Sequence, residues 1–248
     1  MIADNLADVQ RRIQQAARRA GRDPAEVTLV GVTKLQPVEV MLAGYQAGLR
    51  HFGENRVEEM AAKIPAFLHA VTDMQTTLES RPVIHLIGHL QSRKVAQALQ
   101  YAQLIHSVDN FKLAERISRL TEQGGHRPAV VLLQGNISGE ASKSGFEVTN
   151  WEQDETVLNC FLADVRAIAA LSHIQVAGLM TMAPIVSEPE EARPYFRSLR
   201  ALLSACRAAF PNLAWRHLSM GMTDDFEAAV EEGATLVRVG RAIFQTSS

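Results

Sequence analysis

The chain has 248 residues, 47% hydrophobic and 21% charged, with a formal net charge of -2, which describes a globular protein with ample core and argues against the basic face of a nucleic-acid binder. Its two cysteines, Cys160 and Cys206, lie far apart in helix-like segments, which excludes a disulfide framework or a zinc motif. No apolar run approaches transmembrane length.

Ile2, Leu6, Val9, Ile13 and Ala17 recur at helical spacing before Gly21, predicting an amphipathic leading helix. Its acids and arginines interrupt any apolar segment, so it does not read as a secretory signal and the expected location is cytoplasmic. Next comes Val27-Thr28-Leu29-Val30-Gly31-Val32-Thr33-Lys34, a β-branched run read as a buried strand that ends in a lysine, with Pro37 opening a helix to Gly48. His51 to Asn55 predicts a second strand, followed by a helix from Arg56 to Ile64; residues 65–82 read as helix extension and loop. Val83 to Leu90 is the third strand, Ser92 to Tyr101 a helix, Leu104 to Asp109 the fourth strand, and Phe111 to Gly124 a helix. Ala129 to Ile137 is the fifth strand. After a polar loop holding Lys143 and Gly145, Asn150 with Gln153 reads as a cap opening a helix to Leu171. Ile174 to Ala183 is the sixth strand, Ser187 with Glu190 caps a helix to Phe210, and Ala214 to Gly221 is the seventh strand. Thr223 to Glu232 is a helix and Leu236 to Phe244 the eighth strand. Strands alternating with helices about eight times over this length predict a single (β/α)8 TIM barrel, with the extra leading helix, as one domain spanning residues 1–248.

In such a barrel the chemistry gathers where strands end at the carboxyl face. The polar residues placed there are Lys34, Asn55, His89, Gln91, Asp109, Asn136, Thr181 and Ser219, with Arg238 inside the eighth strand. A lysine desolvated at that face is a nucleophile able to condense with an aldehyde or ketone. Ser219-Met220-Gly221-Met222-Thr223-Asp224-Asp225 is a strand-to-helix turn whose backbone N–H groups and Thr223 hydroxyl suit an anion, and Gly240-Arg241 supplies a second glycine turn beside it. Together these make a phosphate cup facing a lysine. Asp224 and Asp225 oppose that reading unless they turn away, and Thr223 has the alternative of capping its helix. Arg238, bracketed by valines, needs buried acceptors. His85 and His89 lack a carboxylate partner and are not read as metal ligands.

Lys34-Leu35-Gln36-Pro37, His51-Phe52-Gly53-Glu54-Asn55-Arg56, Ile87-Gly88-His89-Leu90-Gln91, Gly178-Leu179-Met180-Thr181-Met182, Leu218-Ser219-Met220-Gly221-Met222 and Val237-Arg238-Val239-Gly240 together resemble the pyridoxal phosphate homeostasis protein family. The resemblance runs from Lys34 to Phe244. It implies the fold-type III barrel, similar to the N-terminal domain of alanine racemase, with pyridoxal 5′-phosphate (PLP) held as a Schiff base on Lys34. It also implies that Asn55 lies beside the ring, that Arg238 faces the pyridine nitrogen, and that Ser219, Thr223, Gly240 and Arg241 surround the phosphate. Lys143 matches a loop lysine to which the family gives a part in cofactor transfer. Thr223 stands where many members have serine and keeps the hydroxyl; Ser92-Arg93-Lys94 and Gln245 depart from the common pattern at the rim.

An arginine at the pyridine nitrogen leaves the ring a poor electron sink, and racemisation needs a second base opposite Lys34. Tyr45, Tyr101 and Tyr195 all fall on predicted helices, and no counterpart of the β-domain that supplies the tyrosine of alanine racemase is expected. The expected function is therefore a non-enzymatic carrier that buffers PLP for apo PLP enzymes, with no nucleic-acid or membrane partner, as a monomer. The alternatives are a PLP-dependent racemase of low activity and a class I aldolase in which Lys34 attacks a sugar phosphate.

Overall fold

Strands covered by helices on one side and by one another's side chains on the other read as nearly continuous apolar runs, which is why the predicted strands are so rich in valine, isoleucine and leucine. In the computed structural model, which describes residues 1–74, 77, 81–141 and 143–245, these runs form β1 (Thr28–Val32), β2 (His51–Glu54), β3 (Val83–Leu86), β4 (Leu104–Val108), β5 (Ala129–Asn136), β6 (Ile174–Met180), β7 (His217–Ser219) and β8 (Leu236–Val239). All are parallel, each pairs with the next, and β8 pairs with β1, so the sheet closes into the eight-stranded barrel expected. A two-residue strand, Phe146–Glu147, extends the end of β5.

Around the barrel lie α1 (Ile2–Arg19), α2 (Val38–Gln46), α3 (Val57–Asp73), α4 (Val95–Ala98), α5 (Phe111–Gln123), α6 (Glu155–Ala169), α7 (Arg193–Ala209), α8 (Phe226–Glu231) and α9 (Arg241–Phe244). Among the described residues no helix is long and apolar enough to cross a membrane. The predicted stripe of α1 is inward: Leu6, Val9, Ile13, Ala16 and Ala17 are buried. This helix packs on α8, α9 and α2, outside the seam where β8 meets β1. Arg12 pairs with Glu227 at 3.2 Å and Arg19 with Glu231 at 2.7 Å, fastening it there.

Most of the core lies between strands and helices, where Phe52 of β2 stacks on Phe67 of α3 with ring centroids 4.8 Å apart. A smaller group, Val30, Leu104, Leu132, Ala177, Met180 and Leu236, fills part of the barrel interior. Side chains alternate across a strand. Since Phe52 and Glu54 face α3, His51 and Gly53 face inward.

Several element ends differ from the sequence reading. β8 stops at Val239 instead of running to Phe244, because Gly240 packs against Val32 and begins α9: a Cβ on Gly240 would stand 3.1 Å from the Val32 carbonyl oxygen. α6 is capped by Asp154, whose carboxylate accepts from the Thr156 N–H at 2.9 Å, and Asn150 instead occupies a left-handed turn at φ 57. Ser187 is held by Glu191, with Glu190 on Arg193, and a 3-10 turn over Pro189–Ala192 precedes α7. The helix after β3 shortens to a 3-10 turn over Ser92–Lys94 plus α4, so Tyr101 lies in the turn beyond it. α3 passes through Pro65 to Asp73; within the predicted extension and loop to Pro82, residues 75, 76 and 78–80 lie outside the described residues.

Candidate functional site

At the carboxyl end of β1 the chain makes a β-turn over Thr33-Lys34-Leu35-Gln36, closed by the Gln36 N–H donating to the Thr33 carbonyl at 3.0 Å. Leu35, its third residue, sits at φ 60, a conformation that costs a side-chain-bearing residue about 1–2 kcal/mol. Neighbouring elements hold this strained turn in place. Lys63 of α3 donates to the carbonyls of Thr33 at 2.6 Å and Gln36 at 3.3 Å, and the Leu35 N–H donates to Glu59 at 3.2 Å. Glu54, with no exposed surface, accepts from the Thr33 hydroxyl and pairs with Lys63 at 2.9 Å. Burial raises the pKa of Glu54, opposed by the Thr33 and Lys63 contacts, and among the described residues its second oxygen has no hydrogen-bond partner. Lys34 itself is exposed. The protein therefore does not supply the desolvation that the sequence reading attached to this lysine; it supplies an amine open to solvent on a braced turn.

On the side of β1 where the sheet closes, β7 and β8 build the floor. Arg238 Nη1 donates to Ser219 Oγ at 2.6 Å and Nη2 to the Thr181 carbonyl at 3.0 Å, which provides the buried acceptors that its valine-flanked position demanded. Burial pushes the Arg238 pKa down to about 10, with Asp225 acting in the other direction, so the guanidinium stays cationic at neutral pH. In the sheet, Arg238 is the partner of Val30, which places the floor beside the strand that ends in Lys34.

The two glycine turns lie above this floor. Gly221 has φ +90, and a Cβ there would come within 2.5 Å of the Ala229 side chain, so only glycine fits. Its carbonyl accepts from the Arg238 N–H at 3.0 Å. The acids after it do not face one another across an anion site. Asp225 is buried and accepts from the Met222 N–H at 2.5 Å, with its pKa raised by burial; Asp224 is taken up by Arg241. That ion pair also links the turn after β7 to the turn after β8. Thr223 is half-buried and does not cap α8, which begins at Phe226 behind Asp225.

Asn55 is half-buried just past β2, its carbonyl only 2.1 Å from where a Cβ on Gly88 would stand, so the loops after β2 and β3 touch. His89 lies in the loop beyond β3, whereas His85 is on the strand, and Asp109 at 3.2 Å gives His89 a carboxylate neighbour that the sequence reading did not foresee. Lys143 is tied down, donating to Glu140 at 3.0 Å and to the Met182 carbonyl at 3.2 Å; its neighbour Ser142 lies outside the described residues. The structure thus joins Ser219 to Arg238, Arg241 to Asp224, and Gly240 to Val32, and sets Lys34 apart on its turn. Sequence reading missed Glu54, Lys63 and Glu59. The strand alternation held the clue to the first, since it puts a carboxylate on the same side of β2 as Phe52, facing α3, where a buried charge needs a cation.

A parallel barrel with a lysine after β1, glycine turns after β7 and β8 and a buried arginine between them belongs to the class described as the alanine racemase N-terminal domain, whose family model matches residues 5–248. Proteins named pyridoxal phosphate homeostasis protein are 38% identical in Aquifex aeolicus, over 97% of this chain and 96% of that one, and 39% identical in Pseudomonas aeruginosa, over 98% and 94%. The chain belongs to the pyridoxal phosphate homeostasis protein family. Solved structures of PipY from Synechococcus elongatus, 32% identical and covering 99% of this chain and 100% of theirs, superimpose with TM-scores of 0.80 without PLP and 0.78 with PLP bound. Alanine racemase from Bartonella henselae, 15% identical with a TM-score of 0.64 over 99% of this chain and 58% of its own, shares the fold.

Proposed function

We propose that this protein binds pyridoxal 5′-phosphate at the barrel mouth with Lys34 as its covalent anchor, and that it carries and buffers the cofactor without using it for turnover. The residues fit the group: an open amine on a braced turn, two glycine turns where side chains would collide, and a buried cation between them. PLP-bound PipY, similar over the full chain, supports the same reading. On it, Asn55 lies beside the ring, Arg238 faces the pyridine nitrogen, and Thr223, Gly240 and Arg241 surround the phosphate, the last two through backbone N–H groups; Ser219, expected there from the sequence, has no exposed surface and instead backs Arg238 from within the barrel. Bound there, the cofactor supplies an aldehyde that condenses with amines and a ring that draws electrons from an attached amino acid best when its nitrogen is protonated.

The observation that carries the carrier reading is Arg238. A guanidinium donates hydrogen bonds and accepts none, so placed at the ring nitrogen it keeps a proton off. Nor does any of the chain's three tyrosines stand at a strand end to act as a second base. Tyr45 is buried on α2, beneath Arg50 at 4.4 Å, and Tyr101 and Tyr195 pack against the outer core. On this reading the chain works as one domain and as a monomer, in the reducing cytoplasm that suits unpaired Cys160 and Cys206, and hands PLP to apo enzymes. Purified protein mixed with PLP is expected to turn yellow and, after borohydride reduction, to carry the cofactor mass on the Lys34 peptide; Lys34→Ala is expected to lose both signals. A colourless protein would overturn binding, and rapid interconversion of D- and L-amino acids would overturn the carrier role.

A further inference from the structure

The turn that carries Lys34 has a positive φ only at its third residue, Leu35, which is the mark of a type II turn. Rotating the peptide unit between Lys34 and Leu35 by half a revolution would convert it to type I, where the third residue has φ of about −90° and any side chain is comfortable. Glycine or asparagine is the usual occupant of the type II position, and leucine is disfavoured there. Burial does not hold Leu35 in that conformation, because the residue is 77% exposed.

Most bonds around the turn do not tell the two states apart. The Gln36 N–H bond to the Thr33 carbonyl closes either turn type, and Lys63 donates to the Thr33 and Gln36 carbonyls, which lie outside the peptide unit that rotates. The Leu35 N–H does belong to that unit, and it donates to Glu59 Oε2 at 3.2 Å. In the type I state the Lys34 carbonyl would point where this N–H now points, and two acceptors would face each other. Glu59 stands in the first turn of α3, its side chain 25% exposed and its other oxygen 3.7 Å from Arg56 Nη1.

Resting on the role of Lys34 as anchor proposed above, we infer that Glu59 is a positioning residue for PLP capture, which keeps the Lys34 turn in its type II state, and that without this carboxylate the turn relaxes to type I. The rotation carries Lys34 ψ from about 120° to about −30°, from extended to helical backbone, and the rotamers open to a side chain follow its backbone. The directions in which the amine can reach from the turn differ accordingly. Glu59 thus acts on the anchor through the backbone, and leucine, unlike glycine, keeps the second state within reach.

Proton NMR of the unloaded protein reads the turn directly: a strong cross-peak between the Lys34 Hα and the N–H of residue 35 marks type II, and one between the two N–H protons marks type I. Titration of the yellow band with PLP gives the affinity. The wild type is expected to show the type II pattern. Glu59→Ala is expected to shift toward type I and, since only the competent fraction binds, to weaken PLP binding about tenfold. Adding Leu35→Gly to Glu59→Ala lifts the penalty on positive φ and is expected to restore both readings although no hydrogen bond is returned. Leu35→Val, with Glu59 intact, makes left-handed backbone costlier and is expected to weaken binding in the same direction, which decides the matter should Glu59→Ala not fold. A type II turn that persists in Glu59→Ala, a rotated turn with unchanged affinity, a loss that Leu35→Gly fails to restore, or full affinity in Leu35→Val overturns the role of Glu59 and leaves Lys34 standing as the anchor. A colourless wild type overturns the anchor, and the positioning role with it.

Discussion

Glu54 is a carboxylate without exposed surface whose countercharge is the Lys63 ammonium at 2.9 Å. Removing the cation leaves the charge buried and unpaired, whereas removing both charges replaces a desolvated pair with apolar packing. Lys63→Met is therefore expected to cost on the order of 3 kcal/mol, read from urea unfolding, and to loosen the Lys34 turn. Adding Glu54→Leu is expected to regain much of that stability. The interior histidines set a pH dependence. Burial, reinforced by the charges of His51 and His217, lowers the pKa of His85 from 6.5 to about 3. From pH 6.5 down to about 3 the unfolded chain binds a proton that the folded barrel refuses. The stability contributed by the neutral ring is accordingly complete above pH 6.5 and is lost as pH falls toward 3. Unfolding free energy should thus decline on acidification, with a slope in His85→Phe shallower by about 1.4 kcal/mol per pH unit. Arg238 was legible because a charge between valines in a strand demands partners. His85 and His106 carried the same signal, each interrupting an apolar run. Their partners, His106 Nε2 at 2.8 Å from His85 Nδ1 and Ser219 Oγ at 2.9 Å from His106 Nδ1, were hidden because β4 and β7 meet only across the closed interior, a contact that no local spacing records.

At the level of elements, the site depends on how strands hand over to helices. Gly221 makes that turn after β7 at φ +90, against Ala229 and the Phe226 backbone. Gly221→Ala combines a left-handed alanine with a steric clash, and is expected to lower stability by about 2 kcal/mol, seen as a lower thermal midpoint, and to weaken PLP binding. The existence and order of the elements could be read because periodicity switches clearly between strand and helix. Their ends were harder to place. Asn150-Gln153 and Ser187-Glu190 have the spacing of capping boxes, yet the chain starts α6 at Asp154 and α7 only after a 3-10 turn, since burial of Phe161 and Phe196 fixes where each helix docks. The end of β8 was misplaced because Ala242, Ile243 and Phe244 continue the apolar character of Val237 and Val239 beyond the turn, whereas the close approach of Gly240 to Val32 marks where the strand stops.

Across the whole molecule, closure was foreseeable from the alternation of eight strands with helices, since a parallel sheet of that size buries both faces most simply by meeting itself. What the alternation left undetermined was the place of the leading helix. α1 lies over the seam, with Arg12 bonded to Glu227 across 215 positions of sequence. That distance matters during synthesis. As the chain leaves the ribosome, the greasy stripe of Leu6, Val9 and Ile13 has no lasting cover until β8 and α8 have emerged, so α1 is made well before the elements it docks on. Until then that greasy face waits for its partners, and the ring locks shut only when its last strand meets its first.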